Sequence, residues 1–577
     1  MNNNQIVTAL FDAVQNNNLD IAGADKKFYT KLVLHASEIR DLYTQLYANH
    51  PDYNDNFTRL IEVLIASHQN RLQELRDRDY HKDENWYLSN QLAGMSLYID
   101  RFCGNIEALP GKFPYLRDLG VNVLHLMPSL ESSDGKINSD ATSDLKSVDL
   151  RFENLRDLEA VRVEMHANGM NLMLGLDLNH DFNSTNPQIF VEMLANALVY
   201  ANLGVDILRI NASATHIAGL ERNSQNASQT HTIFQLLKQC VQVTAPGMAL
   251  LGESITEPGE IMKCFGEGRY LAKEFDFAYN TTQMALQWDA LASGQVSAMM
   301  AAQPVLSEKP FGTTWITYTR NHNDIALDYD DHMILDAGFT PNEHRKYLSE
   351  YFSDSFSIST SSATSFAPDI ETPNTHISGT LASLCGLEKA VNAKNEHQIN
   401  ISIQKMLLMQ ANSFFVGGLP VLFYGDEAGY FNDYSFQDVQ DNGNDDRWMN
   451  GPLIDWEKNR LVNVEGTVEN RIYAGTKKLL EIRAKLPVVA DVNNTRWLPR
   501  HNIHVAGFVR NGKEKALFCI FNYSNESAYL TWHSFRYNGL TPVKLYDHWR
   551  ETYFETGNDA DFLILESYAF YLLEVVD

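Results

Sequence analysis

Gly204-Val-Asp-Ile-Leu-Arg-Ile-Asn-Ala212 reads as a buried strand that closes on two polar side chains. Arg209 and Asn211 lie two residues apart, so on a strand they share a face. An arginine and an amide at the end of an apolar run need partners once desolvated, which marks this strand end as a place where polar groups gather.

On both sides of this strand, short apolar runs alternate with helix-period segments between about residues 95 and 430. The runs are Met95 to Arg101, Val121 to Met127, Met170 to Leu178, Val205 to Asn211, Met248 to Gly252, Phe275 to Tyr279, Trp315 to Thr319 and Leu419 to Tyr424. Leu155 to Ala167 and Pro187 to Ala201 carry helical spacing, and Pro187 suits a first turn. This alternation predicts an α/β fold, a (β/α)8 TIM barrel. An open nucleotide-binding sheet would call for a Gly-rich phosphate turn after an early strand, and the chain has none.

Upstream, Leu32, Ala36, Ile39, Tyr43 and Leu46 form one helical stripe, and Ile61, Leu64, His68, Leu72 and Leu75 a second; turn-like Pro51 to Asn56 separates them. Residues 1–92 are therefore expected to form a helical N-terminal domain and 93–487 the barrel. The connection from Asp324 to about Asn400 reads as an insertion after strand seven, over the barrel mouth. Residues 488–577 are expected to form a C-terminal antiparallel β domain, with Val505 to Val509, a turn at Asn511-Gly512, and Ala516 to Phe521 as a hairpin.

The chain has 577 residues, 44% hydrophobic, and a formal net charge of -27 from 73 acidic and 46 basic groups. Such a surface repels nucleic acid and anionic membranes, so neither is an expected partner. The start lacks a basic region followed by an apolar one, and no run of about 18 apolar residues occurs, which points to a cytoplasmic protein. Five dispersed cysteines without a C-x-x-C pair suggest buried thiols and no metal site.

In a parallel barrel, function gathers at the strand C-terminal ends. The polar residues placed there are Asn179-His180 after strand three, Arg209 and Asn211 on strand four, Glu253 after strand five, and His322-Asn323-Asp324 after strand seven. This set, with Leu124-His-Leu-Met-Pro128, Gly204 to Arg209, Gly417-Gly-Leu-Pro-Val-Leu-Phe-Tyr-Gly-Asp-Glu-Ala-Gly429 and Asp445-Asp-Arg-Trp448, resembles glycoside hydrolase family 13, the α-amylase family, and within it the amylosucrase type. The resemblance runs over nearly the whole chain. It implies glucosyl transfer from sucrose through a covalent glucosyl-enzyme, without cofactor or metal. By the same resemblance Glu253 falls on the general acid/base, Asn211 on the nucleophile and Asn323 on the second, transition-state carboxylate. His180, Arg209, His322, Asp324 and Arg447 fall on substrate-binding positions.

Retaining transfer needs a carboxylate nucleophile and a carboxylic acid on either side of the sugar bond. Both aspartate positions are amides here. Losing one carboxylate about 4 Å from a developing positive charge forfeits roughly 4 kcal/mol at an effective dielectric near 20, about a thousandfold in rate. The family's strand-three aspartate is replaced by Gly175, with Asp177 out of register, and Ile137 to Lys146 lacks the aromatic floor of the first glucose site. Only Asp181 to Asn186 separates His180 from the helix at Pro187, where the family inserts a small domain. The leading expectation is thus an amylosucrase-like pseudoenzyme that either binds an α-glucoside or sucrose or acts through protein contacts. The rivals are an active glucosyltransferase or α-glucoside hydrolase using Glu253 with Asp324 or Asp177, and a structural or regulatory partner of an active paralogue; the associations expected are a homo-oligomer or a complex with that paralogue.

Overall fold

The computed structural model describes residues 26–127, 155–176, 185–211, 224–253, 258–306, 309–323, 325–327, 329–353, 361–362, 364–365, 376–435, 447–513, 515–536, 541–557 and 561–576. Eight strands close into a barrel: β1 (Gly94–Tyr98), β2 (Val123–Met127), β3 (Asn171–Leu176), β4 (Ile207–Asn211), β5 (Ala249–Glu253), β6 (Phe277–Tyr279), β7 (Thr314–Thr317) and β8 (Leu419–Phe423). Their order is β1-β8-β7-β6-β5-β4-β3-β2, with parallel pairing. All eight runs expected from the sequence are strands, though most are shorter than expected. The first stops at Tyr98 because Ile99–Cys103 turns helical, and the sixth keeps three residues of five.

Three of the even strands, β2, β4 and β6, begin with a shared device. Asn122, Asp206 and Asp276 each stand just before a strand, inside Val121-Asn-Val123, Val205-Asp-Ile207 and Phe275-Asp-Phe277. The backbone N–H of each donates to the carbonyl of Ala93, Leu172 or Leu250, and the side-chain oxygen of each accepts from that same residue's N–H at 2.8 to 3.0 Å. This two-point clamp sets the register at which one strand enters beside its neighbour, and it explains why strands four and six start after their aspartates.

By internal contacts the chain divides into two compact units. The first comprises Met1–Trp86, Asn138–Ile255 and Ile261–Tyr279. In it α1 (Lys26–Tyr47), α2 (Tyr53–Asn70) and α3 (Gln73–His81) precede the barrel helices α4 (Leu155–Ala167), α5 (Pro187–Asn202) and α6 (Ser224–Thr244). α1 packs on α6 and α2 on α5. Leu32, Ala36, Ile39 and Tyr43 are buried as the stripe requires, whereas Leu46 is half-buried and Leu42 and Tyr47 take the interior. The second stripe fails at Leu72, which is 44% exposed. The helix ends at Asn70, and Arg71 turns extended to bury its guanidinium against Asp79 at 2.8 Å and the Ala201 carbonyl. The expected turn at Pro51 to Asn56 is shorter, since α2 begins at Tyr53. Buried Asp206 is enclosed by Lys82 at 2.6 Å, His166 at 2.9 Å and Arg78 at 3.0 Å. Burial alone would push its carboxyl up, but these cations hold it far below the usual carboxylate range.

The second unit comprises Tyr87–Ile137, Thr256–Glu260 and Asn280–Asp577. Between β7 and β8 the described chain forms a three-stranded antiparallel sheet from Ile325–Ala326, His376–Ser378 and Thr364–Ser365, besides helices such as Pro341–Phe352. The C-terminal region is an antiparallel sheet of β9 (Thr495–Trp497), β10 (Val505–Asn511), β11 (Ala516–Asn522), β12 (Lys544–Asp547), β13 (Thr552–Glu555) and β14 (Phe570–Val575), in the order β9-β10-β11-β14-β12-β13. Phe518, Phe535, Leu545 and Leu573 are fully enclosed in its core. The hairpin turn is longer than expected, because β10 runs through Asn511 and Gly512 donates to the Lys515 carbonyl across the loop. The cysteines are free thiols; four are buried, and Cys103 is partly exposed, which departs from the expectation. Among the described residues no helix is long and apolar enough to cross a membrane.

Candidate functional site

In the first unit, strand register brings two of the expected residues together. Asn211 and Glu253 are Cα partners on β4 and β5, and Gly175 is the partner of Arg209 on β3 and β4. Arg209 and Glu253 are each 7% exposed, and Nη2 of Arg209 donates to Oε2 of Glu253. A β-carbon on Gly175 would lie 3.2 Å from Nη1 of Arg209. The guanidinium therefore fits closely over the space that the missing side chain leaves. Tyr279, at the end of β6, is buried beside this pair: burial pushes its phenol up, Arg209 opposes the rise and Glu253 adds to it. Tyr279 was not among the expected residues, and an isolated tyrosine closing an apolar run carries no signal in sequence.

The side chain of Asn211 lies outside the description, as do Asp177, His180 and Asp324. Arg447 opens the helix Arg447–Asn450, and its side chain is likewise outside.

In the second unit, His322 is buried and Asn323 half-buried in the segment after β7. The Asn323 N–H donates to Oδ1 of Asn321 at 2.9 Å, a local turn. Just upstream, Arg320 is 2% exposed and donates from Nε to both oxygens of Asp426 at 3.0 and 2.9 Å and from Nη1 to the Asn450 carbonyl at 2.7 Å. Its guanidinium carbon stands 4.5 Å from the centre of the Phe423 ring. Asp426 and Glu427 belong to the Gly417 to Gly429 motif, and both are buried. Burial pushes Glu427 up to about 7, against a hydrogen bond from the Tyr115 hydroxyl at 2.8 Å. His125, from the motif at Leu124, shares a hydrogen bond of 2.9 Å with Ser96. In the same motif Gly418 is at φ 118°, and a β-carbon there would stand 2.4 Å from the Trp315 carbonyl oxygen, so only glycine fits. These motif residues therefore serve the packing of the barrel. The Arg320 to Asp426 pair was not anticipated, although the adjacent acids after Gly425 were a visible signal.

Among the described residues no group of three or more histidines, cysteines and carboxylates is placed to hold a metal ion. Chemically, the Arg209 and Glu253 contact supplies a neutralised pair. The oxygen that faces the guanidinium accepts hydrogen bonds from an obligate donor.

Comparison with known proteins agrees with this architecture. The profile Alpha-amylase (Alpha amylase, catalytic domain) matches residues 70–200. The chain is 21% identical over 535 residues to a trehalose synthase of Thermus thermophilus, covering 77% of this chain and 50% of that protein. It is 25% identical over 256 residues to the trehalose synthase/amylase TreS of Mycobacterium tuberculosis (strain CDC 1551 / Oshkosh), covering 44% and 35%. The chain thus spans half or less of the length of these relatives. In three dimensions it resembles Eubacterium rectale Amy13B with a TM-score of 0.56 and 14% identity, over 86% of this chain and 98% of that one. Residues 70–200 are thus similar to the alpha-amylase catalytic domain, and the chain shares its fold with Eubacterium rectale Amy13B.

Proposed function

We propose that the protein is an amylosucrase-like member of glycoside hydrolase family 13 that has lost glucosyl transfer and binds an α-glucoside. Asn211 and Asn323 supply amides where the family reaction needs a nucleophile and a charge-balancing carboxylate. A neutral amide oxygen neither attacks the anomeric carbon effectively nor balances an oxocarbenium charge. The observation that carries the reading is the contact of Arg209 with Glu253. A general acid must present a protonated carboxyl to the leaving oxygen. Here the carboxylate serves instead as counter-ion to a buried guanidinium, over a glycine that leaves the space for it. The names of the relatives, trehalose synthases, support an α-glucoside as ligand.

Incubation of the full chain with sucrose is expected to release no fructose above a heat-killed control. A thermal shift with sucrose, trehalose or maltooligosaccharides is expected at millimolar concentration. Turnover at an ordinary enzymatic rate overturns the loss of activity, and the absence of any sugar-dependent shift overturns the binding.

A further inference from the structure

The turn that follows β8 carries two adjacent buried acids with unequal partners. Asp426 and Glu427 stand in the single turn Asp426–Ala428, and each is 1% exposed. Asp426 holds the Arg320 guanidinium and accepts from the Leu381 N–H at 3.2 Å. Glu427 meets an aromatic enclosure instead. Its Oε1 accepts from the Tyr115 hydroxyl at 2.8 Å, and Tyr115 lies edge-on to Trp456 and tilted on Tyr473, with ring centres 5.3 Å apart in both pairs.

The second oxygen of Glu427 is the anomaly. Oε2 is buried with no hydrogen-bond partner among the described residues. The same holds for Oδ1 of Asn459, whose side chain reaches the Tyr115 hydroxyl from the segment Lys458–Asn463. Two acceptors around one hydroxyl therefore lack a hydrogen. Protonation of Glu427 makes Oε2 a donor and removes an uncompensated charge in one step, which is the state of lower free energy for a carboxyl so far desolvated.

Among the described residues no cation bonds Glu427. Asp426 beside it is like-charged and committed to Arg320. The helix Phe113–Leu119 brings Tyr115, and its Asp118 is bound by Lys477 at 2.6 Å and by the Tyr473 hydroxyl at 3.0 Å. The helix Val468–Lys485, which packs on the turn, brings Tyr473. Tyr430, just after the turn, faces Glu427, Asp455 and Glu469, and Lys458 lies 4.9 Å from its ring centre. Burial pushes Glu427 up to about 7 and Asp426 adds to the rise, while the Tyr115 hydroxyl and the peptide groups of Glu427 and Gly425 oppose it.

We propose that Glu427 is a proton-operated latch: with its proton it ties the β8 turn to Tyr115 and Lys458–Asn463, and without it this contact opens to water. The closed form binds the proton more tightly than the open form, in which the carboxyl has its ordinary value of 4.5. Opening is therefore independent of pH below that value, grows as pH rises, and levels off above about 7. No residue of the latch belongs to the α-glucoside positions, so the two readings are tested apart.

Hydrogen exchange is measured on the full chain by mass spectrometry from pH 5 to pH 8, wild type against Glu427→Gln, whose amide keeps the shape and a donor at every pH. The ratio of wild-type to variant exchange over Lys458–Asn463 cancels the intrinsic pH dependence. It is expected to rise at least about tenfold and then to level off. Difference infrared spectra, wild type minus Glu427→Gln, should show the carbonyl stretch of a protonated carboxylic acid at pH 6 and lose it by pH 9. Glu274, also raised to about 7, lies in the first unit, is present in both proteins and cancels. Tyr115→Phe removes the hydroxyl that opposes the rise, so the infrared midpoint should move to higher pH. An exchange ratio that stays flat, or no protonated carboxyl band at pH 6, overturns the proposal. So does a midpoint that is unmoved or lowered in Tyr115→Phe. Should Glu427→Gln fail to fold, the infrared titration of wild type against Tyr115→Phe decides in its place.

Discussion

Replacing Glu253 by glutamine tests whether that carboxylate is a counter-ion or a working acid. Arg209 and Glu253 are each 7% exposed and in direct contact. Glutamine keeps the shape and a carbonyl acceptor and removes the charge. For unit charges about 3 Å apart at an effective dielectric near 20, Coulomb's law gives roughly 5 kcal/mol of attraction. Desolvation offsets part of this in the native pair, yet removing one partner of a buried pair costs about 3–5 kcal/mol. The hydrogen bond that glutamine retains reduces the expected loss to about 2–4 kcal/mol. The assay is thermal unfolding at pH 7, where each kcal/mol moves the midpoint by about 1 °C in a chain of this size. A fall of about 2–3 °C is therefore expected. Arg209→Met should fall similarly, and the double variant should lose less than the sum, with a coupling of at least about 1 kcal/mol. Sites built for catalysis behave in the opposite way, since neutralising a strained catalytic group commonly stabilises the fold. A Glu253→Gln protein that melts at or above wild type, and whose effect adds to that of Arg209→Met, would refute the counter-ion reasoning.

Further expectations concern the site and the scaffold. The double reversion Asn211→Asp with Asn323→Asp should still release no fructose from sucrose, because Glu253 stays tied to Arg209 over Gly175; turnover in that variant would show that only the two carboxylates are lacking. Burial pushes Glu274 up to about 7 against its hydrogen bond with His231, and the same contact raises His231 despite its burial. A raised carboxyl contributes stability below its unfolded value near 4.5 that is lost as pH climbs through about 7, and raised His231 loses its share as pH passes its own folded value, so both act in one direction. The melting temperature should therefore drop between pH 5 and pH 8 by more in wild type than in Glu274→Gln, and equal drops would remove Glu274 as a cause. Gly418→Ala, with positive φ and a carbonyl 2.4 Å from the new carbon, should cost more than about 3 kcal/mol, seen as a lost or strongly lowered transition. Leu72→Ser should lower the unfolding free energy by less than about 0.5 kcal/mol, and Leu64→Ser, at a fully buried position, by several times as much, read by thermal unfolding.

Much of the scaffold was legible in the sequence because it depends on periodicity. The eight apolar runs, the helices between them and the C-terminal strands are repeated local patterns, and each maps to an element. What failed depends on where the chain turns. Leu72 continues the arithmetic of its stripe, but Arg71 breaks the helix to reach Asp79 and the Ala201 carbonyl, and no local pattern announces a partner 130 residues away. The strand clamp was visible as three apolar-Asx-apolar triplets without its meaning, since the clamped N–H belongs to another strand. The site divides in the same manner. Arg209 and Asn211 stood out as an odd strand end, and Gly175 as a missing acid, yet only register shows that Gly175 and Arg209 are neighbours.

That neighbourhood bears on why Glu253 stands where it does. A buried arginine at the end of β4 requires negative charge close by, whatever the protein does. The positions at which the resemblance calls for acids on β3 and β4 are Gly175 and Asn211, so neither can supply it. Glu253, the Cα partner of Asn211 on β5, can, and it contacts the guanidinium directly. On the proposed reading, neutralising Arg209 is reason enough for its presence. By the same logic the pair should be replaceable together: Arg209→Met with Glu253→Leu, an apolar couple of similar volume, should keep the fold and lose at most about 1 kcal/mol, because a buried ion pair contributes little net stability over well-packed apolar groups. If that double variant fails to fold while each single variant folds, the pair holds the barrel in a way that charge neutralisation does not explain.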